Sequence, residues 1–553
     1  MINSYKTIVK ASTAFLIIIY FSLVYYFTVN IPIVDDFSAI QNFLLKFVQS
    51  SSLKEKLDLL FSQFGEHRIV FARLIILLVY ALGGGLSYSL FILIGNLLML
   101  CICFFIYRTA TNKDFSSIYL LLMISIFFNG QNFETSTWAM VSIANVGVLF
   151  VAMASMYCML NTNNYKLQYY GLILSMLTIF SNGNGMFIVP PIAIGLYLQN
   201  RKKILFPFLC ITIVTILLYF YDFNKSSRIN IEFIDLIKNI PLLLNNFFIF
   251  VGLNFWIPSY KIISFLVGLS CVSVYLFGIW KKWHKSNILI YAFLTFYYLS
   301  AATVAVLWFS SEIEGALRYR IYCSPIIVLT LFLILNNIKQ NKPKIIYTLS
   351  LLSILFSLSS TYIYALKEQK KIEWKKKSAY NWHNKRTGLA TFSPFIEDES
   401  LQEVEKLGWY SMPKYPLSEY ASSVLKDKVN TFNDAESISY KIEDITDNVN
   451  YLLIEGWGFL DNRSMNFKKI FVRLINQDQS YIVSTFAERR YDLDFDVPLD
   501  RIENCGFFAV IDKNLIPAGT YQVAISIKNI FGYGSYRDKI TGESVIIRSK
   551  DFE

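Results

Sequence analysis

Two adjacent carboxylates, Asp35 and Asp36, follow the first long apolar run of the chain. Burying such a pair without a cationic or metal partner is costly. In a binding site, one carboxylate can act as a general base that accepts the proton of an attacking hydroxyl group. The other can orient that group, bind sugar hydroxyls or hold a divalent cation such as Mg or Mn. Alone, the pair fits a solvated loop that caps the following helix at least as well.

Glu66, His67 and Arg68 stand where the second apolar run begins, and Arg73 lies inside that run. Charged groups at this depth are expensive if lipid surrounds them. Helical spacing would put Glu66 and Arg73 on one face. Arg68 can bind a phosphate through its forked donors, and Glu66 and His67 can contact a sugar or an acceptor. The alternative is an interfacial ion pair with a snorkelling arginine.

Two further polar segments interrupt the apolar sequence, at residues 129–138 and 181–185. In the first, Asn132 and Glu134 are candidates for binding sugar hydroxyls, and the alternative is a plain interfacial loop. The second reads Ser-Asn-Gly-Asn-Gly, and such a break is tolerated only against protein or a watery cavity. Its backbone amides can approach a ligand, although a tight turn between two helices explains it equally well.

The last polar segment runs from Glu312 to Arg320 and leads into another apolar run. Arg318 and Arg320 stand at the boundary where a lipid phosphate would lie, and Tyr319 between them can contact a sugar. A guanidinium group suits a departing phosphate because it stabilises the developing negative charge. Snorkelling of the arginines to ordinary phospholipid is the alternative.

The elements that must position these residues are membrane-spanning helices. Of the 553 residues, 54% are hydrophobic and only 16% are charged, whereas soluble domains carry roughly 25% charged residues. Lipid must therefore be the solvent for most of the chain, and about 11 to 13 spans are expected. The apolar windows lie near residues 8–30, 67–82, 86–107, 115–129, 138–160, 168–199, 204–222, 258–280, 287–309, 317–336 and 343–366, and 241–257 is a further span or an interfacial helix.

Charge and composition exclude several classes of protein. The net charge of +11 is typical of cytoplasmic loops and of contact with anionic lipid, so a nucleic-acid partner is not expected. Seven scattered cysteines and three histidines form no metal-binding spacing. The sequence contains no P-loop or dinucleotide fingerprint and no Ser-His-Asp spacing, which argues against nucleotide-driven transport by this chain.

The pattern changes to period two beyond residue 440, where apolar and polar residues alternate in short runs divided by glycines. This pattern predicts an all-β domain, most simply a sandwich. We therefore divide the chain into a transmembrane domain, residues 1–366, a basic juxtamembrane connector, 367–440, and a β-sandwich domain, 441–553.

Basic residues indicate the topology. Lysines and arginines near residues 6–10, 201–203, 281–285 and 339–344 suit the cytoplasm. This places residues 31–66, residues 310–317 and the β domain outside. The lysine run 367–386 then also lies outside, where it can rest on anionic head groups.

Taken together and in this order, the polar segments resemble a known family. The Asp-Asp loop after the first span, the Glu-His-Arg sequence, the Asn-Phe-Glu segment, the Gly-Asn-Gly break and the late Arg-Tyr are similar to those of bacterial GT-C-fold membrane glycosyltransferases. The likeness is to the polytopic Gtr-type enzymes that glucosylate O-antigen or other surface glycans, and it covers roughly residues 10–366.

The resemblance implies an enzyme of the bacterial plasma membrane that works on the extracytoplasmic face. It would transfer a hexose from an undecaprenyl-phosphate (polyprenyl-phosphate) sugar to a cell-surface glycan. Asp35 or Asp36 would be the catalytic base, and Arg318, with Arg68 and Arg320, would bind the donor phosphate. Two alternatives stay open: a surface-glycan polymerase, and a flippase or transporter of lipid-linked glycans that is not an enzyme.

Overall fold

The computed structural model describes residues 2–548 except for a set of short gaps. These gaps are 112–115, 162–163, 225–236, 256–260, 309–316, 338–342, 387, 392–393, 428–436, 462, 466, 478, 491–492, 494–503 and 533. Residues 312–316 of the late polar segment, with Glu312 and Glu314, therefore lie outside the described residues.

Helices dominate the described part of the chain as far as residue 406. They are α1 (Ile2–Phe27), α2 (Phe43–Gln49), α3 (Leu53–Phe61), α4 (Val70–Gly83), α5 (Tyr88–Tyr107), α6 (Ser116–Phe127), α7 (Phe133–Ser136), α8 (Ala139–Leu160), α9 (Tyr165–Ile179), α10 (Val189–Leu198), α11 (Lys202–Phe220), α12 (Ile240–Val251), α13 (Lys261–Trp280), α14 (Ile288–Leu307), α15 (Cys323–Asn337), α16 (Pro343–Lys385) and α17 (Pro394–Lys406). Short 3₁₀ turns at Gly130–Asn132, Gly183–Ile188 and Leu317–Tyr322 carry the polar segments of the sequence.

Eight of the described helices are long and apolar enough to cross a membrane, judged by length and composition. Four shorter apolar helices accompany them: Val70–Gly83, Ser117–Phe127, Gly183–Leu198 and Ile240–Val251. The prediction of a multi-pass helical protein is confirmed at this level. Each of the eight long helices overlaps a predicted apolar window, and the last continues beyond its window to Lys385. The agreement is expected, because a helix needs about 20 apolar residues to span the hydrocarbon core.

The predicted break within residues 168–199 is present. Helix α9 ends at Ile179, a 3₁₀ turn covers Gly183–Ile188, and α10 continues from Val189 with prolines in its first turn. Proline is well placed there because the first N–H groups of a helix lack intrahelical partners. At Gly185 a Cβ atom would lie 1.9 Å from the carbonyl oxygen of Thr178, so only glycine allows the chain to return this closely.

Two antiparallel sheets form the C-terminal region. They follow a short hairpin within the helical region, β1 (Gln63–Phe64) and β2 (His67–Arg68). The strands of the two sheets are β3 (Val424–Asp427), β4 (Ile438–Asp447), β5 (Tyr451–Leu460), β6 (Lys468–Ile475), β7 (Ser480–Ser484), β8 (Phe486–Glu488), β9 (Gly506–Asp512), β10 (Gly519–Asn529) and β11 (Arg537–Ile547). The five-stranded sheet has the order β11-β10-β6-β7-β3 and the four-stranded sheet the order β4-β5-β9-β8. Alternate residues of both sheets, such as Val472 and Ile525 from one and Ile454 and Phe507 from the other, share one buried core. The predicted all-β region is thus confirmed as a β-sheet region.

The chain divides into two compact units. The first contains residues 1–28 and 38–365, and the second contains residues 29–37 and 366–553. The Asp-Asp segment therefore belongs to the same unit as the β sheets.

Helix α16 continues without a break through the basic stretch that the sequence suggested for contact with head groups. That expectation is wrong for Lys371, Lys375 and Lys377, which are buried. Lys370 donates a hydrogen bond to the carbonyl oxygen of Lys468, at the start of a strand. Lys370 and Lys377 fasten the helix to the β-sheet region, and Lys371 pairs with Glu368 one turn away on the same helix.

Lys377 is the most constrained of these lysines. Its side chain is 1% exposed, and its Nζ forms an ion pair of 2.5 Å with Glu455, which also accepts from Lys385. The Phe508 ring lies 3.8 Å from the same nitrogen. A buried cation depends on its acidic partner, because removing that partner leaves an uncompensated charge in a medium of low polarity.

We expect Glu455→Ala to lower the free energy of unfolding of the second unit by roughly 3–5 kcal/mol. The variant breaks the buried ion pair of Lys377, which then keeps only the coulombic attraction of Glu488. The matched control is Glu419→Ala, which breaks the exposed pair with Lys376 and should cost at most about 1 kcal/mol. Thermal unfolding of the full-length protein in detergent, followed by proteolysis of the β-sheet region, measures both. Equal losses in the two variants would contradict the assignment.

Candidate functional site

Several of the polar segments found in the sequence come together inside the first unit. The carbonyl oxygen of Arg318 accepts hydrogen bonds of 3.2 Å from both Thr135 Oγ1 and Asn145 Nδ2. The 129–138 segment is thereby fastened to the 3₁₀ turn Leu317–Tyr322. The arginines and the Asn-Phe-Glu segment, which are nearly 190 residues apart in sequence, are neighbours in the fold.

Arg320 is buried, with 1% of its surface exposed. Its Nη1 donates to Gln131 Oε1 at 3.0 Å and to the hydroxyl of Tyr364, whose ring lies 5.2 Å from the guanidinium carbon. Its Nε has no hydrogen-bond partner among the described residues. These partners are neutral, and a buried cation held by neutral groups is stabilised by a nearby anion such as a phosphate.

Asn132 is fully buried and serves the packing of the unit. Its Nδ2 donates to the carbonyl oxygen of Phe127 at 2.8 Å and to Ser324 Oγ at 3.1 Å, and Asn254 donates to the same hydroxyl at 2.7 Å. The sugar-binding role predicted for Asn132 can use only Oδ1, which has no partner among the described residues. Glu134 lies half-buried in the short helix α7.

The Glu-His-Arg segment forms a β-hairpin and not the start of a helix. Strands Gln63–Phe64 and His67–Arg68 pair across a turn in which Gly65 has a φ of +55°. Helix α4 begins only at Val70. The expectation that Glu66 and Arg73 share one helix face is therefore wrong, because Glu66 lies in the hairpin turn.

Arg68 links the hairpin to the ends of helices α3 and α11 through hydrogen bonds. Its Nε donates to the carbonyl oxygen of Tyr219 at 2.8 Å, its Nη2 to that of Tyr221 at 2.5 Å, and its Nη1 to that of Phe61. Each of its three nitrogens thus has a backbone acceptor at a helix end. The phosphate-binding role of Arg68 stays a prediction beside this structural one.

His67 lies close to Arg318 and to the Gly-Asn-Gly break. Burial lowers the pKa of His67; the nearby Glu66 carboxylate raises it, and the Arg318 guanidinium lowers it further, with a net lowering from 6.5. A Cβ atom on Gly183 would lie 2.8 Å from His67 Nδ1. The imidazole is therefore neutral at pH 7, packs against the break at Gly183 and lies within electrostatic range of Arg318.

Tyr319 completes this group of residues. Its half-buried ring lies 5.2 Å from the guanidinium carbon of Arg318 and 6.2 Å from the ring of Tyr322. The ring therefore limits the positions that the Arg318 side chain can occupy.

Asp35 and Asp36 lie in the second unit, in a segment of unusual backbone. Val34, directly before them, has a φ of +46°, which a β-branched residue rarely adopts, and a π-helical turn covers Phe37–Asn42. Strained backbone and π-helical turns are both frequent at functional sites. The structure therefore adds a signal at the aspartates that the sequence did not contain.

The two aspartates differ in their surroundings. Asp36 is 1% exposed, its Oδ2 accepts from the N–H of Ile33 at 3.0 Å, and its own N–H donates to the carbonyl oxygen of Ile33 at 2.9 Å. Asp35 is half-buried. Asp36 thus holds the turn, and Asp35 is the more accessible carboxylate.

Residues far along the sequence hold this aspartate segment in place. Tyr410 donates its hydroxyl proton to the carbonyl oxygen of Asn30 at 2.7 Å, and the N–H of Val34 donates to the carbonyl oxygen of Ala390 at 2.8 Å. Glu405 fixes the stretch that carries Tyr410 by accepting from Trp382 Nε1 and from the N–H of Met412. Sequence reasoning missed Tyr410, since nothing in its local sequence indicates a contact across this distance.

The described residues contain no group of three or more histidine, cysteine, aspartate or glutamate side chains that could hold a metal ion. The Mg or Mn ion suggested for the aspartates stays a prediction.

No protein-family model matches this chain, and no curated protein or solved structure matches it either.

We expect Tyr410→Phe to loosen the aspartate segment, because it removes the hydrogen bond to the carbonyl oxygen of Asn30. Losing this hydrogen bond should lower the free energy of local opening by about 1 kcal/mol, which corresponds to about fivefold faster amide exchange at residues 29–37. Hydrogen–deuterium exchange with mass spectrometry measures it, and Tyr415→Phe in the same unit is the control. Unchanged exchange in Tyr410→Phe would contradict the bracing role.

The lowered pKa of His67 predicts an acid sensitivity of the first unit. Below about pH 6.5 the unfolded chain binds a proton at this residue that the folded chain does not, so stability falls as the pH falls. His67→Asn should reduce the drop in melting temperature between about pH 7.5 and about pH 5.5. Glu66→Gln should enlarge it, because Glu66 raises the pKa of His67. A larger drop in melting temperature for His67→Asn than for Glu66→Gln would show that the predicted direction of the pH dependence is wrong.

Proposed function

We propose that the protein is a membrane glycosyltransferase that takes a hexose from a polyprenyl-phosphate sugar and transfers it to a cell-surface glycan. The reaction takes place on the extracytoplasmic face of a bacterial plasma membrane. The observation that carries the proposal is the gathering of Arg318, Arg320 and His67 with the buried polar segment 129–138 in a unit of apolar helices. Burying polar groups in such a unit costs free energy, so they are found mainly where a function requires them.

The arginines suit the phosphate of the donor. Arg320 is buried among neutral hydrogen-bonding partners, and Arg318 lies in the same 3₁₀ turn. In the proposed reaction the bond between the sugar carbon and the phosphate oxygen breaks, and its electron pair stays with the phosphate. A guanidinium group stabilises that growing charge more strongly in the product than in the donor.

Asp35 is the proposed general base. The acceptor oxygen forms the new bond to the sugar carbon and gives its proton to this carboxylate. Asp36 holds the backbone turn through Ile33, so its role is to position its neighbour. A bound divalent cation is compatible with the pair but is not needed for this step.

The proposal includes two finer statements about architecture. The helical unit would be of the GT-C type, and the two sheets of the second unit would form a sandwich. The shared core of the five- and four-stranded sheets supports the second statement.

We expect Asp35→Asn to lower the rate of hexose transfer by about a hundredfold or more, because it removes the base and keeps the shape. Asp36→Asn should lower the rate as well, but with faster amide exchange at residues 29–37, since its hydrogen bond to Ile33 weakens. The measurement is transfer of labelled hexose from polyprenyl-phosphate hexose by full-length protein in membranes, with Lys46→Gln as the control. Full activity in both aspartate variants would remove the proposed base.

The choice of donor separates the alternatives. A polymerase would use a diphosphate-linked oligosaccharide and leave the monophosphate donor untouched. A flippase would move lipid-linked sugar to the other leaflet without breaking its bond to phosphate. Release of polyprenyl phosphate in step with labelled glycan supports the proposal, and either of the other two results overturns it.

A further inference from the structure

Polar contacts bring several helix ends together at one end of the first unit. Asn336 Nδ2 donates to the carbonyl oxygen of Thr109 at 3.1 Å and to Asn287 Oδ1 at 3.0 Å. The ends of helices α5 and α15 and the start of helix α14 therefore lie side by side. Arg108, next to Thr109, donates from Nε to the Tyr157 hydroxyl at 3.3 Å, which adds the end of helix α8.

Arg201 extends this end of the unit to further helices. Its Nη1 donates to the carbonyl oxygen of Met159 in helix α8 at 2.8 Å and to Gln199 Oε1 at 2.9 Å. Gln199, at the end of helix α10, donates from Nε2 to the carbonyl oxygen of Leu160 at 2.8 Å. Gly171 of helix α9 also lies against Met159, since a Cβ atom there would be 2.8 Å from Met159 Cγ. Helix α11 begins directly after Arg201, so its start belongs to the same boundary.

This boundary carries basic residues and no acidic ones. We call its described residues, 107–111, 157–161, 164–170, 196–206, 277–290 and 333–337, the basic end. None of these segments contains an aspartate or a glutamate. Positive charges without acidic neighbours attract anions, and the anions nearest to a membrane boundary are lipid phosphates. All the lysines and arginines of the basic end are exposed except the half-buried Arg201: Arg108, Lys166, Arg201, Lys202, Lys203, Lys281, Lys282 and Lys285.

Exposed aromatic side chains accompany these charges. Tyr165 and Tyr169 of helix α9 are 74% and 72% exposed, and Trp280 at the end of helix α13 is 71% exposed. The Nζ of Lys281 lies 4.2 Å from the centre of the Trp280 ring. Tryptophan and tyrosine are enriched where a membrane meets water, because their rings are apolar in one part and polar in another. The basic end therefore fits the level of lipid head groups.

The Glu-His-Arg hairpin lies at the other ends of two of these helices. Arg68 donates to the carbonyl oxygen of Tyr219, at the far end of helix α11 from Lys202, and Val70 donates to that of Phe180, just beyond the far end of helix α9. Helices α9 and α11 have 15 and 19 residues, and at 1.5 Å per residue they are roughly 22 and 28 Å long. These lengths approach the thickness of the hydrocarbon core of a bilayer. The hairpin and the basic end thus suit opposite boundaries of that core.

We propose that the exposed lysines of the basic end bind the anionic phospholipid head groups of the cytoplasmic leaflet. The lipid phosphates supply the negative charge that the segments of the basic end lack. Basic helix ends at an anionic leaflet also fix the orientation of a membrane protein. The hairpin then faces the extracytoplasmic side. Lipid binding at the basic end is independent of the transfer reaction.

The measured quantity is the preference of the protein for anionic over zwitterionic lipid. Full-length protein is reconstituted in phosphatidylcholine bilayers that contain spin-labelled phosphatidylglycerol or spin-labelled phosphatidylcholine. Electron paramagnetic resonance gives the relative association constant of the two labelled lipids at the protein boundary. Two variants each replace a pair of exposed lysines: Lys202→Gln with Lys203→Gln, and Lys281→Gln with Lys282→Gln.

The matched control replaces two lysines at the other end of the unit, Lys54→Gln with Lys56→Gln. Both lie in helix α3, whose last turn accepts hydrogen bonds from Arg68 and Arg73 beside the hairpin. We expect the wild type to prefer phosphatidylglycerol about threefold and each variant of the basic end to lose half of this preference or more, because each lysine near an anionic leaflet contributes a factor of up to about five. The control should keep the wild-type preference. Melting temperatures in phosphatidylcholine bilayers confirm that all three variants are folded.

Four results would overturn the proposal. They are an equal association of the two lipids with the wild type, an unchanged preference in both variants of the basic end, an equal loss in the control, and abolition of the preference by inorganic phosphate at constant ionic strength. The last result would show that the surface binds free phosphate and not lipid. None of the four bears on the hexose-transfer assay, so a failure here leaves the proposed function standing.

Discussion

The first unit depends on one constraint: in a protein of apolar helices, every polar group must find its partner within the chain. Tyr20 illustrates it. This tyrosine is 1% exposed, and its hydroxyl donates to Asn96 Oδ1 at 2.8 Å and also contacts Ser136 Oγ. Asn96 in turn donates to the carbonyl oxygen of Ser136 at 2.9 Å. One small network therefore joins the first span, helix α5 and the polar segment 129–138.

The same constraint explains why segments that are distant in sequence meet in the fold. Side chains such as Asn132, Arg320 and Arg68 are buried, and each donates to an acceptor on another segment. Some buried polar atoms have no hydrogen-bond partner among the described residues, and they are spread over the unit: Asn132 Oδ1 and Arg320 Nε lie in the polar segments, and Asn254 Oδ1 and His284 Nδ1 lie elsewhere.

The second unit applies the constraint to charges. Its buried lysines and acids pair across the contact between helix α16 and the sheets, as Lys377 and Glu455 do. Arg473, fully buried, pairs with Asp427 and with the equally buried Asp538. The aspartate segment 29–37 is held within this unit, so the carboxylates proposed for catalysis depend on residues that come some 380 positions later.

The sequence by itself determined what depends on local composition. The apolar windows predicted the long helices, because a span needs only a run of apolar residues, and the period-two pattern predicted the β-sheet region. The break at residues 181–185 was also readable, since glycine and proline act locally. The polar segments could be singled out as candidates from the sequence alone, because polar residues are costly in an apolar sequence wherever they lie.

Only the tertiary structure decided what each of those residues contacts. It showed that Glu66-His67-Arg68 belongs to a hairpin and that Arg68 donates to the carbonyl groups of helix α11. It also showed that Lys371, Lys375 and Lys377 are buried. It distinguished Asp35 from Asp36, which the sequence could not separate. It also placed Tyr410 against the aspartate segment and Tyr219 against Arg68. The physical reason is that a side chain's hydrogen-bond partner lies on another segment, and no local pattern records which segment the fold brings to it.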